Sequence, residues 1–230
     1  MTRIDFDRDL QGVQDGLITL GNLVEQSITR AMDALKKRDP EASRRVIEED
    51  DLIDRKRFHL EEECIYLMAT QQPFATDLRT LMTIAHVAVD LERIGDYAEG
   101  IAKISLMMGD EPPLKPLINI PRMADKAIDM LQRSMHALVR AVLLDTDEEG
   151  VKAMARQVCS DDDEVDALYD QAYRELITFM IKDPLTVQRA THLLWVAHNL
   201  ERIADRATNI AERVIFLITG QLVKVNVSKY

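Results

Sequence analysis

Two cysteines, Cys64 and Cys159, are all that 230 residues carry, and they stand far apart. Two distant thiols make no disulfide framework and have no zinc-ligand spacing, so they fit a reducing compartment. Glycine and proline are scarce, at eight and seven, and aromatic side chains make up only 5% of the chain. Sheet proteins draw more heavily on all three at turns and in strands, which disfavours a β architecture. Basic residues are in deficit, 29 against 40 acids, for a formal net charge of −11. Such a chain has no overall attraction to nucleic-acid phosphates, and no direct nucleic-acid partner is expected. No apolar run is long enough to span a bilayer. The N-terminus, Met1-Thr2-Arg3-Ile4-Asp5-Phe6-Asp7, has acids where a signal peptide has its apolar stretch. The expectation is a soluble, cytoplasmic protein large enough to bury a real core.

What is abundant is helix-forming: Leu, Ile, Ala, Glu, Asp and Arg, with a hydrophobic fraction of 47%. Asp39-Pro40-Glu41 and Asp183-Pro184 read as an N-cap followed by proline at the first helical position. Gln72-Pro73 marks another start, and Thr146-Asp147-Glu148-Glu149 has the capping-box spacing. Gly220 is a C-cap followed by a short polar tail. Three prolines in Pro112-Pro113-Leu114-Lys115-Pro116 cannot continue a helix, and the break closes at Pro121. Helices are therefore expected at about 6–37, 41–70, 74–108, 122–144, 147–181 and 185–219.

The two halves resemble one another. Residues 84–103 overlay 193–212 without gaps, with ten of 20 positions identical, including Leu91-Glu92-Arg93-Ile94-x-Asp96 against Leu200-Glu201-Arg202-Ile203-x-Asp205. Upstream, Asp51, Asp54, Ile65 and Met68 match Asp163, Asp166, Ile177 and Met180. The period, near 110 residues, is far longer than a solenoid repeat. The expected fold is all-α: two tandem three-helix bundles of six long antiparallel helices. The first occupies 1–110, a Pro-rich linker 111–121, the second bundle 122–221 and the tail 222–230.

The chemical signal is an acid–x–x–x–acid pair at matching places: Asp50 and Asp54, Glu92 and Asp96, Asp162 and Asp166, Glu201 and Asp205. Residues four apart share a helix face. Like charges so placed repel, and desolvation strengthens the repulsion unless a cation is present. On α-helical wheels Val87, Leu91, Ile94, Ala98 and Ile101 form the core seam, as do Val196, Leu200, Ile203, Ala207 and Ile210. The acids lie off that seam among small residues, such as Ala88 and Gly95, that are expected to leave the carboxylates accessible and to allow close approach of another helix or an ion. Carboxylates of two neighbouring helices can encircle a hard or borderline cation. Against this stand two plainer readings, a solvated acidic face and ion pairing to Arg93 and Arg202.

A di-iron oxidase needs Glu-x-x-His pairs, and no histidine of this chain has a Glu three residues before it. No Gly-rich phosphate loop, nucleophile elbow or Cys/His nucleophile pair is present, and no basic pocket motif for phosphate is visible. Cys64 and Cys159 read as small core hydrophobes.

Gln72-Pro73-Phe74-Ala75-Thr76-Asp77-Leu78-Arg79, followed by Leu91-Glu92-Arg93-Ile94-Gly95-Asp96, resembles the PhoU family of phosphate-signalling proteins. Leu200-Glu201-Arg202-Ile203-Ala204-Asp205, leading to Asn209-Ile210-Ala211-Glu212, resembles that family's second repeat. The resemblance implies a homodimer of two-bundle chains and a non-enzymatic negative regulator of the phosphate-starvation response. It implies two partners, the ATPase subunit of the phosphate ABC transporter and a sensor histidine kinase, through which alone the protein meets the membrane. It also implies divalent or trivalent metal ions, such as iron, zinc, magnesium or manganese, on the acidic motifs. Carried across, the metal candidates are Asp50, Asp54, Glu92 and Asp96, then Asp162, Asp166, Glu201 and Asp205, with Asn209 four residues beyond Asp205. Gly100 stands opposite Asn209 and Ala204 opposite Gly95, so the two sites are expected to differ. The alternatives are a carboxylate-bridged metalloenzyme and a metal-free structural scaffold.

Overall fold

The computed structural model describes residues 3–109, 111–143 and 147–225. Six long helices account for most of them: α1 (Arg3–Lys37), α2 (Pro40–Gln71), α3 (Ala75–Met108), α4 (Asn119–Val142), α5 (Glu148–Lys182) and α6 (Val187–Thr219). No strand occurs among the described residues.

The breakers act where local chemistry puts them, with three shifts. Asp39 caps α2 by accepting from the N–H groups of Glu41 and Ala42 at 3.0 and 2.9 Å, with Pro40 at the first helical position. Gly220, at φ 73°, ends α6 in the left-handed region. Pro121, expected to close the linker, instead lies inside the first turn of α4, which begins at Asn119 rather than 122. An N–H in that turn has no helical acceptor, so proline costs nothing there. Asp183-Pro184 opens a single 3₁₀ turn, Pro184–Thr186, before α6 begins at Val187 instead of 185. Gln72 adopts a left-handed conformation that terminates α2, so Gln72-Pro73 is a stop signal as much as a start. Thr146 lies outside the described residues; Asp147 caps α5 by accepting from the Gly150 N–H at 3.0 Å.

Helices α1, α2 and α3 pack on one another, as do α4, α5 and α6. The seams are continuous: Val13, Leu17, Leu20, Val24, Ile28 and Leu35 of α1 meet Ile84, Val87, Leu91, Ile94 and Ile101 of α3, all buried. Cys64 and Cys159 are buried free thiols within the two cores, as expected. Burial drives both thiol pKa values up to about 12.

The bundles join chiefly through α3 against α6, with a smaller contact of α1 on α4. Along that seam Asp90 accepts from Asn209 Nδ2 and from Arg206, each at 3.3 Å. Tyr97 acts electrostatically on Arg202, and Gly100 sits against the Asn199 amide. Residue numbers rise on α3 as they fall on α6, so the two helices run antiparallel. The linker is pinned from both bundles: Arg38 donates to the Glu111 carbonyl, Arg189 to the Pro112 carbonyl at 3.2 Å, and Lys115 pairs with Glu175.

Candidate metal centre

The small residues among the acids do not open the site to solvent; they bring α2 close. A β-carbon at residue 95 would stand 3.1 Å from Ile53 Cγ2 and 3.2 Å from Asp50 Oδ1. Only glycine leaves that space empty, and Asp50 leans into it. Asp50 is 8% exposed, and its counterpart Asp162, in the bundle where Ala204 replaces that glycine, is 3% exposed. Neither belongs to a solvated acidic face.

In the first bundle, carboxylate oxygens of Asp50, Asp54 and Asp96 lie within 4.8 Å of one another. Asp50 Oδ1 is buried and accepts no hydrogen bond. Burial, then the charges of Glu99, Asp54 and Asp96, raise Asp50 to about 7, with Lys103 opposing. Glu92 sits beside this trio; burial and Asp96 push its carboxyl up against the pull of Arg93. Glu99 is a member that acid–x–x–x–acid spacing missed. It lies three residues beyond Asp96 on the same face, and it pairs with Lys103.

In the second bundle, Asp162, Asp166, Glu201 and Asp205 line one cleft of about 400 Å³ together with Asn209 and Glu212. Burial, then Asp205, Asp166 and Glu201, raise Asp162 to about 7. Burial and Asp205 raise Glu201 to about 7, and burial raises Asp205 against Arg202. His198 Nδ1 lies 3.3 Å from Glu201 Oε2, so the reversed His-x-x-Glu spacing makes a contact here. Asn209 borders the cleft, but its amide nitrogen is engaged with Asp90 across the bundle seam. Glu212 was also missed from the sequence. Thr208 and Glu212 stand where the first bundle has Glu99 and Lys103, so the acids are redistributed and the two clusters differ. Lys224, from the chain beyond Gly220, lines this cleft as well.

The arginines answer part of the charge. Arg93 donates to Asp96 at 2.9 Å and Arg202 to Asp205 at 2.6 Å. Both approach the more exposed carboxylate of each cluster, and neither reaches Asp50. Asp161, adjacent to Asp162, turns away toward α4 and pairs with Arg133 while accepting from Gln157 at 2.9 Å. Asp161 is therefore structural. The groups that fit a hard cation are Asp50, Asp54 and Asp96, with Glu92 and Glu99 at hand, and in the second bundle Asp162, Asp166, Glu201 and Asp205. These are oxygen donors of the kind such cations take, and Asp50 Oδ1, Glu92 Oε2 and Glu201 Oε2 among them are buried and accept no hydrogen bond.

The family model described as the PhoU domain matches the chain twice, over residues 17–105 and 120–214. A phosphate-specific transport system accessory protein PhoU homolog of Aquifex aeolicus is 39% identical over 94% of this chain and 94% of its own. The protein of the same description from Clostridium acetobutylicum is 37% identical over 98% and 100%. Among solved structures, PhoU from Pseudomonas aeruginosa superposes with a TM-score of 0.86 at 33% identity, covering 94% of this chain and 100% of that one. The phosphate transport system regulatory protein PhoU from Streptococcus pneumoniae gives 0.84 at 30% identity, over 95% and 99%. With both repeats matched and relatives aligned end to end, the chain belongs to the PhoU family.

Proposed function

We propose that this protein is a non-enzymatic regulator of phosphate transport that holds metal cations on its two acidic clusters. The phosphate role is supported by relatives named as accessory proteins of the phosphate-specific transport system, aligned over 94% or more of this chain. The metal role is carried by one observation: three carboxylates from α2 and α3 converge within 4.8 Å around a buried oxygen that accepts no hydrogen bond. A bound cation supplies positive charge that offsets the repulsion between α2 and α3 and between α5 and α6. The chain's own part is to hold the carboxylates in place, through the Gly95 gap and through the arginines on Asp96 and Asp205. Two rigid bundles so fixed present docking surfaces. The partners in this reading are a second copy of the chain, the ATPase subunit of the phosphate ABC transporter and a phosphate-sensing histidine kinase. In phosphate-replete cells the complex restrains uptake and keeps the kinase inhibitory, and the protein works in the cytoplasm.

The test replaces Glu92, Asp96, Glu201 and Asp205 with Ala. Expected are loss of metal by elemental analysis and loss of repression of phosphate genes in a host lacking its own copy. If metal content, helicity and repression all survive, the metal role is wrong. Pull-downs from phosphate-fed and phosphate-starved cells, scored for the ATPase and the kinase, test the adaptor role separately.

A further inference from the structure

Beside Arg206 and Asn209, α3, α6 and the chain after Gly220 border a second, open cleft of about 540 Å³. In a protein of net charge −11, its walls are unusually cationic. Arg206, Arg213 and Lys224 line it together with His86. The two acids that border it are already engaged. Asp90 accepts from Arg206 and Asn209 at 3.3 Å, and Glu212 accepts from the Val225 backbone N–H at 2.7 Å. Arg213 makes no hydrogen bond or ion pair among the described residues, and Arg206 keeps its Nε buried without an acceptor. Cationic and imidazole donors thus outnumber carboxylates along this open cleft.

The duplication shows that the scaffold does not require these cations. The positions equivalent to His86, Arg206 and Arg213 in the opposite half are Trp195, Tyr97 and Ile104. The fold therefore accommodates neutral side chains at each of them, yet here four donors gather in one place. The positive potential is felt locally: burial and the Arg213 guanidinium hold the His86 imidazole below its ordinary value.

We propose that this cleft binds a phosphoryl oxyanion, with Arg213, His86 and Lys224 as donors and Arg206 behind them. A guanidinium offers paired N–H donors that match phosphoryl oxygens, and a neutral imidazole still donates one N–H. Leu222 and Val223 border the same space, leaving room beside the anion for an organic group. The source of the phosphoryl group is either free inorganic phosphate or a phosphate monoester, and the chemistry of recognition is common to both. Arg206 and Lys224 also border the acidic cleft of the second bundle, whereas Arg213 and His86 do not, so the Arg213 variant reads the anion without touching the carboxylate cluster.

The test is calorimetric titration of the full-length protein in chloride buffer with chelator, using inorganic phosphate in one arm and AMP in the other. Expected is saturable one-site binding of at least one of them. Arg213→Gln should weaken it by about tenfold or more, the worth of one charge-assisted hydrogen bond. Arg213 makes no hydrogen bond among the described residues, and the variant loses only its charge interaction with Asp90, so a melting curve run beside the titration should show the native fold retained. Lys224→Ala, on the exposed chain beyond α6, is the second variant and should weaken binding in the same arm. Arg174→Gln, an exposed arginine on α5, should bind unchanged. Binding of inorganic phosphate identifies the free ion as the ligand; binding of AMP alone identifies the esterified group. If neither saturates at millimolar concentration, or if the Arg213 and Lys224 variants both bind as the wild type does, the assignment is overturned.

Discussion

Asp50 Oδ1 lies 3.2 Å from the place a β-carbon on residue 95 would occupy, so a buried carboxylate oxygen that accepts no hydrogen bond sits in a space kept clear by one hydrogen atom. Gly95→Val should therefore destabilise the protein by about 1–3 kcal/mol through overpacking against Ile53 and Asp50. It should also weaken metal retention, since α2 would be pushed off α3. Urea unfolding and elemental analysis of the same preparation read both effects. The equivalent Ala204→Val puts the same question to the second cluster.

The pH dependence of the metal-free protein is expected to run opposite to that of most proteins. Asp50, Asp162 and Glu201 hold their protons to about 7 when folded, whereas their unfolded values are 3.8, 3.8 and 4.5. Between those limits the native state binds more protons than the unfolded chain, so stability falls as pH rises. In chelator, stability should be greatest below about pH 4 with respect to these groups and should drop by on the order of a few kcal/mol by pH 8. Urea midpoints measured from pH 5 to 8, with and without added metal, decide the matter. Metal competes with the same protons, so the loaded protein should gain on the metal-free one as pH rises.

Asp50→Asn separates stability from binding. At pH 8 it removes a buried charge without removing the side-chain volume, and the metal-free protein should gain about 1–3 kcal/mol. Metal affinity should fall by at least about tenfold. Both quantities come from one thermal-shift titration; a variant less stable without metal and equal to wild type in affinity would contradict the assignment.

Asp90 joins the bundles by accepting from Arg206 and Asn209. Asp90→Ala leaves both donors without that acceptor and should cost about 1–3 kcal/mol. Asp90→Asn, which keeps an acceptor oxygen, should cost less. Equilibrium unfolding of the two variants tests the difference.

The thiols should be inert in the native state. With pKa values pushed to about 12 by burial, Cys64 and Cys159 should react with an aromatic disulfide reagent at pH 8 only as fast as the chain opens. In denaturant both should react at once.

The helices, most of their caps and the four acid pairs were legible because each rests on residues within one turn of each other. Asp39 with Pro40 fixes the start of α2 whatever lies elsewhere. Spacing also told Asp162 from its neighbours, since it alone of Asp161, Asp162 and Asp163 has Asp166 four residues on within the duplicated frame. What spacing could not show is orientation between helices. Glu99 and Glu212 face the clusters because of how α3 and α6 sit on α2 and α5. Asp161 faces α4 because Arg133 is there to meet it. The cationic cleft was invisible for the same reason: His86 and Arg213 are 127 positions apart in sequence, and they meet only when α3 lies against α6. Pro121 was misplaced because a proline in a first turn and a proline before one look alike in sequence.

The seam between α3 and α6 keeps the symmetry of the duplication. Its contacts Asp90–Asn209 and Gly100–Asn199 exchange with one another when each residue is replaced by its duplicate in the other half. The halves thus meet by a half-turn, as the protomers of an isologous dimer do. The exchange is not exact in chemistry: an acid faces an amide on one side of the half-turn, and a glycine faces an amide on the other. Two copies of the first half would set Asp90 opposite Gly100 twice, with no donor for either carboxylate. Two copies of the second would set Asn199 opposite Asn209. Each half is therefore a better match for its diverged twin than for itself, and the ancestral symmetry now works as an instruction to fold as one chain.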